Sequence, residues 1–262
     1  MSKTDFSWVN ACDTATFTAG SEAATLPASN LANSKTGKVW RSLATTSYFI
    51  ANFAAATNIT VLALGSCTLS STDTVRHRLY SGANATGTLL YDSGVVSCGV
   101  LDGYALHISK LAATYSALSW RCDIVATSRA TAAYGYFDIK RAWAAPILQT
   151  GVGMSHGWGE VWKDGSDNVR GKLSGGFFGG DGPKQRLMNF TLDWLSESEK
   201  TTLLDMQRLI GTKSQLLFIP DEDLSQPRTA ILGRLLDPQE AKESAARVPP
   251  VYSMSFSILQ DL

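Results

Sequence analysis

The apolar positions of this chain come in short runs rather than in long helical stripes. Tyr48-Phe49-Ile50-Ala51-Asn52-Phe53, Ile59-Thr60-Val61-Leu62-Ala63-Leu64 and Thr74-Val75-Arg76-His77-Arg78-Leu79-Tyr80 are rich in β-branched or aromatic residues and bounded by Ala, Thr, Ser, Gly or Asn. That pattern predicts three strands. The first and third alternate apolar with polar or small residues, as half-exposed strands do, whereas Val61 to Leu64 is apolar throughout and suits a strand covered on both faces. Turn-forming residues at 81–87 and at Asp92-Ser93-Gly94 punctuate a hairpin through Leu89-Leu90-Tyr91 and Val95-Val96. Tyr104 to Ile108, Trp120 to Val125 and Tyr134 to Ile139 continue the series, as expected of a sandwich or jelly roll. The Ala/Thr/Ser-rich start, with anchors at Phe6, Trp8 and Phe17, suits a short strand and a lead-in loop.

Past Ala144-Ala145-Pro146 the texture changes. From Gly151 to Trp162, apolar residues at Val152, Met154, Trp158, Val161 and Trp162 lead into the turn signal Lys163-Asp164-Gly165-Ser166, so a long twisted hairpin is expected to reverse there. Its return limb would run from Val169 to Phe177-Phe178, rich in glycine. Arg186 to Leu195 alternates Leu187, Asn189, Thr191 and Asp193 against Met188, Phe190, Leu192 and Trp194, a strand with one strongly apolar face. A helix follows. Ser196-Glu197-Ser198-Glu199 is a capping box, Leu203, Met206 and Ile210 form one face, and Gly211 supplies the stop. Gln215 to Ile219, Thr229 to Leu235 and the alternating Val251 to Leu259 complete the strands.

The succession Asn30-Leu31, Trp40-Arg41-Ser42, Ile59 to Leu64, Thr68-Leu69-Ser70, Val75 to Leu79 and Trp120-Arg121 resembles the discoidin-like, galactose-binding-like jelly-roll modules of phage tail and cell-surface proteins. The capped helix, Leu217-Phe218-Ile219-Pro220-Asp221, Gly233-Arg234-Leu235 and the last strand together look like the C-terminal part of phage distal-tail or minor-tail proteins. These resemblances imply a mainly β protein: a jelly-roll-like β-sandwich plus a tail-tube-like β-sandwich with one packed α-helix. The division expected is an N-terminal strand and lead-in at 1–24, the jelly-roll module at 25–145 and the tail-tube-like domain at 146–262. The module carries its own alternating core pattern and is expected to fold alone.

Composition narrows the function. Twenty-three basic and twenty-three acidic residues cancel, and no Lys/Arg cluster interleaved with aromatics occurs, so nucleic-acid recognition is not expected. No stretch approaches the ~20 apolar residues of a membrane helix, and no apolar leader core opens the chain. Cys12, Cys67, Cys98 and Cys122 form no C-x-x-C pair and are expected to be buried free thiols.

Catalysis finds no constellation. Ser155-His156 beside Glu160 lacks a nucleophile elbow, Gly175 to Gly182 lacks the Lys-Ser/Thr of a phosphate loop, and Asp221-Glu222-Asp223 lacks EF-hand spacing. A non-enzymatic protein without cofactor or metal is expected. Trp40 with Arg41 is the sugar-binding candidate, because an indole face stacks on a pyranose while guanidinium donors reach hydroxyls; the competing reading makes Trp40 a core residue. Trp158, Trp162, Phe177 and Phe178 are candidates for subunit contact. The resemblances imply a phage tail-tip structural protein, assembled in the host cytoplasm into the virion, forming a homo-oligomeric ring with tail-tube, hub and baseplate proteins as partners. The alternative is a carbohydrate-binding module or receptor-binding protein recognising host surface glycans.

Overall fold

A computed structural model describes residues 3–261 apart from 36, 102–103, 133, 171–176, 181, 222–227 and 246–249. Strands dominate. In the first half they are β1 (Asp5–Ser7), β2 (Thr16–Ala19), β3 (Trp40–Ser42), β4 (Thr46–Cys67), β5 (Thr74–Tyr80), β6 (Leu89–Asp92), β7 (Val96–Ser97), β8 (Leu106–Val125) and β9 (Phe137–Ala145), with the short helix α1 (Thr127–Thr131) before β9. The second half holds β10 (Leu148–Gln149), β11 (Gly159–Asp164), β12 (Asp167–Arg170), β13 (Phe177–Gly180), β14 (Lys184–Leu195), the helix α2 (Glu197–Ile210), β15 (Gln215–Ile219), β16 (Ile231–Leu235), β17 (Ala241–Ala245) and β18 (Val251–Gln260).

The jelly-roll sandwich is built on two long antiparallel strands, β4 and β8. Their outer segments pair from Thr46↔Val125 to Asn52↔Ser119 and their inner segments from Val61↔Lys110 to Gly65↔Leu106, with register shifts at Asn52/Thr57 and Ile59/Val61. The outer segments are flanked by β2 and β5, the inner segment of β4 by β9. The two apolar runs that the pattern separates at Ala54-Ala55-Ala56 are thus one strand, because nothing there can reverse the chain and the irregularities only bend it. Between the layers, Trp40 meets Phe49 and Phe137 edge-on at 5.7 and 5.4 Å, and Phe49 meets Trp120 edge-on at 4.9 Å. Cys12, Cys67, Cys98 and Cys122 are free and buried around this core.

The second sheet runs in the order β10-β1-β15-β16-β18-β14-β11, with β17 on β18. The N-terminal segment serves both halves: β1 sits inside this second sheet against β15, and β2 pairs with β4 of the sandwich. One face of the sheet carries Phe6, Phe190, Phe218 and Phe256, with Phe190 stacked on Phe218 at 4.2 Å, and Leu203, Met206 and Ile210 of α2 join that cluster. On the other face Leu217, Ile219, Ala230 and Leu232 pack against Val61, Ala63, Leu106, Trp143 and Ala145 of the sandwich. Gly65 allows this approach, since a Cβ there would lie 2.4 Å from Leu232 Cδ2. Polar bonds pin the same junction: Lys110 to Asp5 at 2.5 Å, and Trp143 Nε1–H to Ser7 Oγ at 3.1 Å.

Helix α2 has the predicted bounds and cap. Ser196 Oγ accepts from the Glu199 N–H at 3.3 Å, and the Glu199 carboxylate accepts from the Ser196 N–H at 2.9 Å. Gly211 ends the helix at φ 51°. Ser196→Ala is therefore expected to lower stability by about 1 kcal/mol in urea unfolding, with the m-value unchanged. A curve superimposing on the parent's would show that the cap contributes nothing.

The expected hairpin is corrected: the chain does not reverse at Lys163 to Ser166, and Val169 and Phe178 pair with each other rather than forming a return limb against β11. β11 pairs with β14 through Asp164↔Lys184, and β12 continues against β13 through Arg170↔Phe177. The turn signal marks a kink halfway out. Asp164 Oδ1 accepts from the Ser166 N–H and hydroxyl, at 2.9 and 2.5 Å, and Gly182 passes so close to the Gly165 carbonyl that a Cβ would lie 2.1 Å from its oxygen.

Candidate ligand-binding site

At one end of the sandwich the segment after β4, the residues Val100, Leu101 and Ala105, and α1 surround an open cleft of about 450 Å³. Thr68, Ser70, Ser71 and Ser128 contribute polar groups, Leu69, Val100 and Leu101 apolar ones, and Arg129 the charge. The buried carboxylate of Asp73 holds two walls together: it accepts from the Ser70 N–H at 2.8 Å, the Ser128 N–H at 2.8 Å and the Ser128 hydroxyl at 2.7 Å. Arg129 donates through Nε to the Thr68 carbonyl at 2.8 Å, and its guanidinium lies 5.2 Å from the ring of Tyr134, which is 54% exposed. The cleft thus has hydroxyls, a guanidinium and a neighbouring exposed aromatic face.

Trp40 is not part of it. The indole is fully buried between Phe49 and Phe137 and donates to the Ser21 carbonyl at 3.2 Å, leaving no face for a ligand. The competing core reading describes it, because a large apolar ring on a sandwich strand is most stable between the layers. Arg41 does come to this end of the molecule, yet its fork is taken: it meets Asp138 at 2.8 and 2.7 Å and lies over Tyr136 at 4.1 Å. The bond to Asp138 raises the Arg41 pKa further. Asp138 in turn exchanges backbone and side-chain bonds with Thr68, so Arg41 braces the cleft from behind. Sequence reading missed Tyr134 and Arg129 as a pair, although an aromatic five residues after an arginine, across a short run of small residues, is visible in the chain.

A hydrogen-bonded chain of buried rings ends at Cys98, two residues before Val100 of the cleft. Trp120 Nε1–H reaches His77 Nδ1 at 3.3 Å, His77 Nε2 lies 2.8 Å from His107 Nε2, and His107 Nδ1 lies 2.6 Å from the Cys98 carbonyl. Both ends fix the proton positions: an indole can only donate and a carbonyl can only accept, so His77 donates to His107 and both rings are neutral. Burial depresses both pKa values, that of His107 to about 4, and the neighbouring His107 adds to the fall at His77. Cys67, which lines the cleft, is pushed up to about 12 by burial and is no nucleophile there.

The remaining candidates lie on the second half. Ser155 donates to Asp193 at 2.5 Å rather than pairing with His156. Trp158 and Trp162 are 48% and 41% exposed beside and on β11, and Trp162 meets Tyr104 edge-on at 5.6 Å. Phe177 and Phe178 lie on β13, but their side chains fall outside the described residues, as do Glu222 and Asp223 of the acidic turn. Among the described residues, no helix is long and apolar enough to cross a membrane.

No known protein family matches the sequence, and no curated protein matches it either. Solved structures are similar at low identity. A family 32 carbohydrate-binding module of Clostridium perfringens NanJ, in complex with galactose, has a TM-score of 0.41 at 13% identity, covering 55% of this chain and 99% of that one. A Streptococcus pneumoniae fucose binding module has a TM-score of 0.41 at 10% identity, with 53% and 95% coverage. A chitosan-binding module of a Paenibacillus chitosanase/glucanase has a TM-score of 0.40 at 12% identity, with 53% and 99% coverage. All three are carbohydrate-binding modules, and each match spans about half of this chain.

Proposed function

We propose that the chain is a non-catalytic glycan-binding protein whose sandwich presents the loop-end cleft to a sugar. The observation that carries this reading is the cleft itself, where Ser and Thr hydroxyls and the Arg129 guanidinium converge at one end of the β-scaffold, with the exposed Tyr134 ring standing next to Arg129. Hydroxyl and guanidinium groups match the alternating donors and acceptors of a pyranose, and an aromatic face matches its C–H side. The test is calorimetry of the full chain against galactose, fucose and chitosan oligomers, the ligand types of the similar modules. Tyr134→Ala is expected to weaken binding roughly tenfold while leaving the melting temperature in place. Undiminished affinity in that variant, or in Arg129→Ala, would remove the cleft from the account.

A second reading, a ring component of a phage tail tip, is favoured by one observation. β11 is an outer strand of the second sheet and extends through β12 into a hairpin whose Val161 is 50% exposed, so its outer backbone edge is open to strand addition. Repeated edge-to-edge pairing closes a ring without a free edge. Light scattering of the purified chain decides: a closed multimer supports this role, and a monomer at tens of micromolar withdraws it.

A further inference from the structure

The second sheet carries a groove of its own, distant in sequence from the cleft and different in chemistry. It holds about 250 Å³ and is lined by Trp158, His156, Asn189, Thr191, Ser255 and Ser257, among other residues. Its polar floor follows from strand alternation. Phe190 and Leu192 on β14, and Met254 and Phe256 on β18, point into the aromatic core, so Asn189, Thr191, Ser255 and Ser257 emerge on the opposite face, where the sandwich does not cover the sheet. They stand in register, Asn189 opposite Ser257 and Thr191 opposite Ser255, at the corners of a rectangle of about 5 by 7 Å. That is the footprint of a single pyranose ring.

The bonds within the rectangle leave it ready to exchange partners. Ser257 Oγ lies 2.7 Å from Asn189 Oδ1 and donates to it, which keeps the Asn189 amide nitrogen in the donor role. Thr191 and Ser255 hydroxyls lie 2.9 Å apart, so either one can turn to an incoming hydroxyl while the other follows. Beside this floor stands Trp158, with about half its surface exposed. Among the described residues no Asp, Glu, Lys or Arg lines the groove, so an ionic ligand would lose hydration without gaining a counter-charge from them.

We infer that this groove is a binding subsite for a neutral, polyhydroxylated ring, a hexose unit of a glycan, stacked on Trp158 and bonded to the Asn189–Ser257 and Thr191–Ser255 pairs. The subsite does not depend on the loop-end cleft, and its neutrality separates it from the Arg129-bearing cleft, which also suits acidic sugars.

The test titrates the full chain with neutral oligosaccharides, following saturation-transfer NMR and calorimetry in the parent, Trp158→Ala, Asn189→Ala and Tyr134→Ala. The expected result is a loss of roughly tenfold in affinity for neutral sugar in Trp158→Ala and a smaller loss in Asn189→Ala, with melting temperatures retained. Asn189→Ala keeps the aromatic platform, so a fall in both variants reports the groove rather than a folding defect of either. Neutral-sugar binding that survives both variants but is lost in Tyr134→Ala overturns the groove and leaves the cleft. Loss in the groove variants with Tyr134→Ala unaffected supports the groove and withdraws the cleft. A parent protein that binds no neutral glycan at millimolar concentration overturns the groove outright.

Discussion

Residues 25–145 expressed alone will not give a folded, monomeric module. The alternating pattern within that stretch suggests independence, but the face of β4, β8 and β9 that carries Val61, Ala63, Leu106, Trp143 and Ala145 is packed against Leu217, Ile219, Ala230 and Leu232 of the second half. Uncovering it exposes the side chains of Val61, Leu106 and Trp143, a loss on the order of 4.5–9 kcal/mol at roughly 1.5–3 kcal/mol each. That is comparable with the whole stability of an ordinary domain, about 5–15 kcal/mol. The cut also removes β2, and with it Asn10, whose side chain donates to the Ala142 carbonyl at 3.0 Å and accepts from the Ala144 N–H at 2.9 Å. Gel filtration and near-ultraviolet circular dichroism of the fragment and the full chain make the comparison. A monomeric fragment with a cooperative melt would show that the contact between the halves is a docking surface rather than a shared core.

Acid will unfold the protein in a window set by its two buried histidines. In the folded chain burial holds the His107 pKa near 4 and that of His77 well below its ordinary value, whereas in the unfolded chain both return to about 6.5. Between those values the unfolded state binds more protons, so stability is complete above pH 6.5 and falls as pH drops towards 4. His107 alone, displaced by about 2.5 pH units, contributes roughly 3 kcal/mol to this loss. The carboxylate most clearly perturbed acts elsewhere: Arg76 holds Asp92 down to about 2, so that contribution disappears only as pH falls below the ordinary carboxylate range. Urea unfolding at pH 7.5, 6, 5 and 4.5 measures the slope. A flat profile across that range would mean that the Trp120–His77–His107–Cys98 chain accommodates a proton without cost.

What the sequence disclosed follows how local each determinant is. The capping box at Ser196, the stop at Gly211 and the alternation of Thr74 to Tyr80 are set by neighbours a few residues away, and they stand where the pattern puts them. The bend of β4 was illegible because Ala54-Ala55-Ala56 reads as a boundary, while β8 alongside it decides that the strand continues. The Asp164 turn signal is genuine chemistry, an Asx-type turn, but pairing of β12 with β13 outweighs it and turns a reversal into a kink. Burial was the hardest property to read. Trp40 and Trp158 look alike in a sequence, and only the packing of layers makes one a core residue and the other a surface platform. Arg186 shows the same limit. It is almost fully buried, donating to the Arg228 and Ala230 carbonyls under the ring of Tyr104, an arrangement that joins segments far apart in the chain.

The placement of β1 sets an order of events during synthesis. Asp5–Ser7 lies between β10 and β15, paired as Phe6↔Leu148 and Phe6↔Phe218. Its first partner is translated some 140 residues later and its second more than 200 residues later, which at about 5–20 residues per second is a wait of roughly 10–40 s for the second. For most of that interval Phe6 has no aromatic core to enter, because Phe190, Phe218 and Phe256 do not yet exist. Residues 5–7 thus leave the ribosome well before the strand that locks them in place, and a nascent chain must shelter Phe6 until β15 emerges.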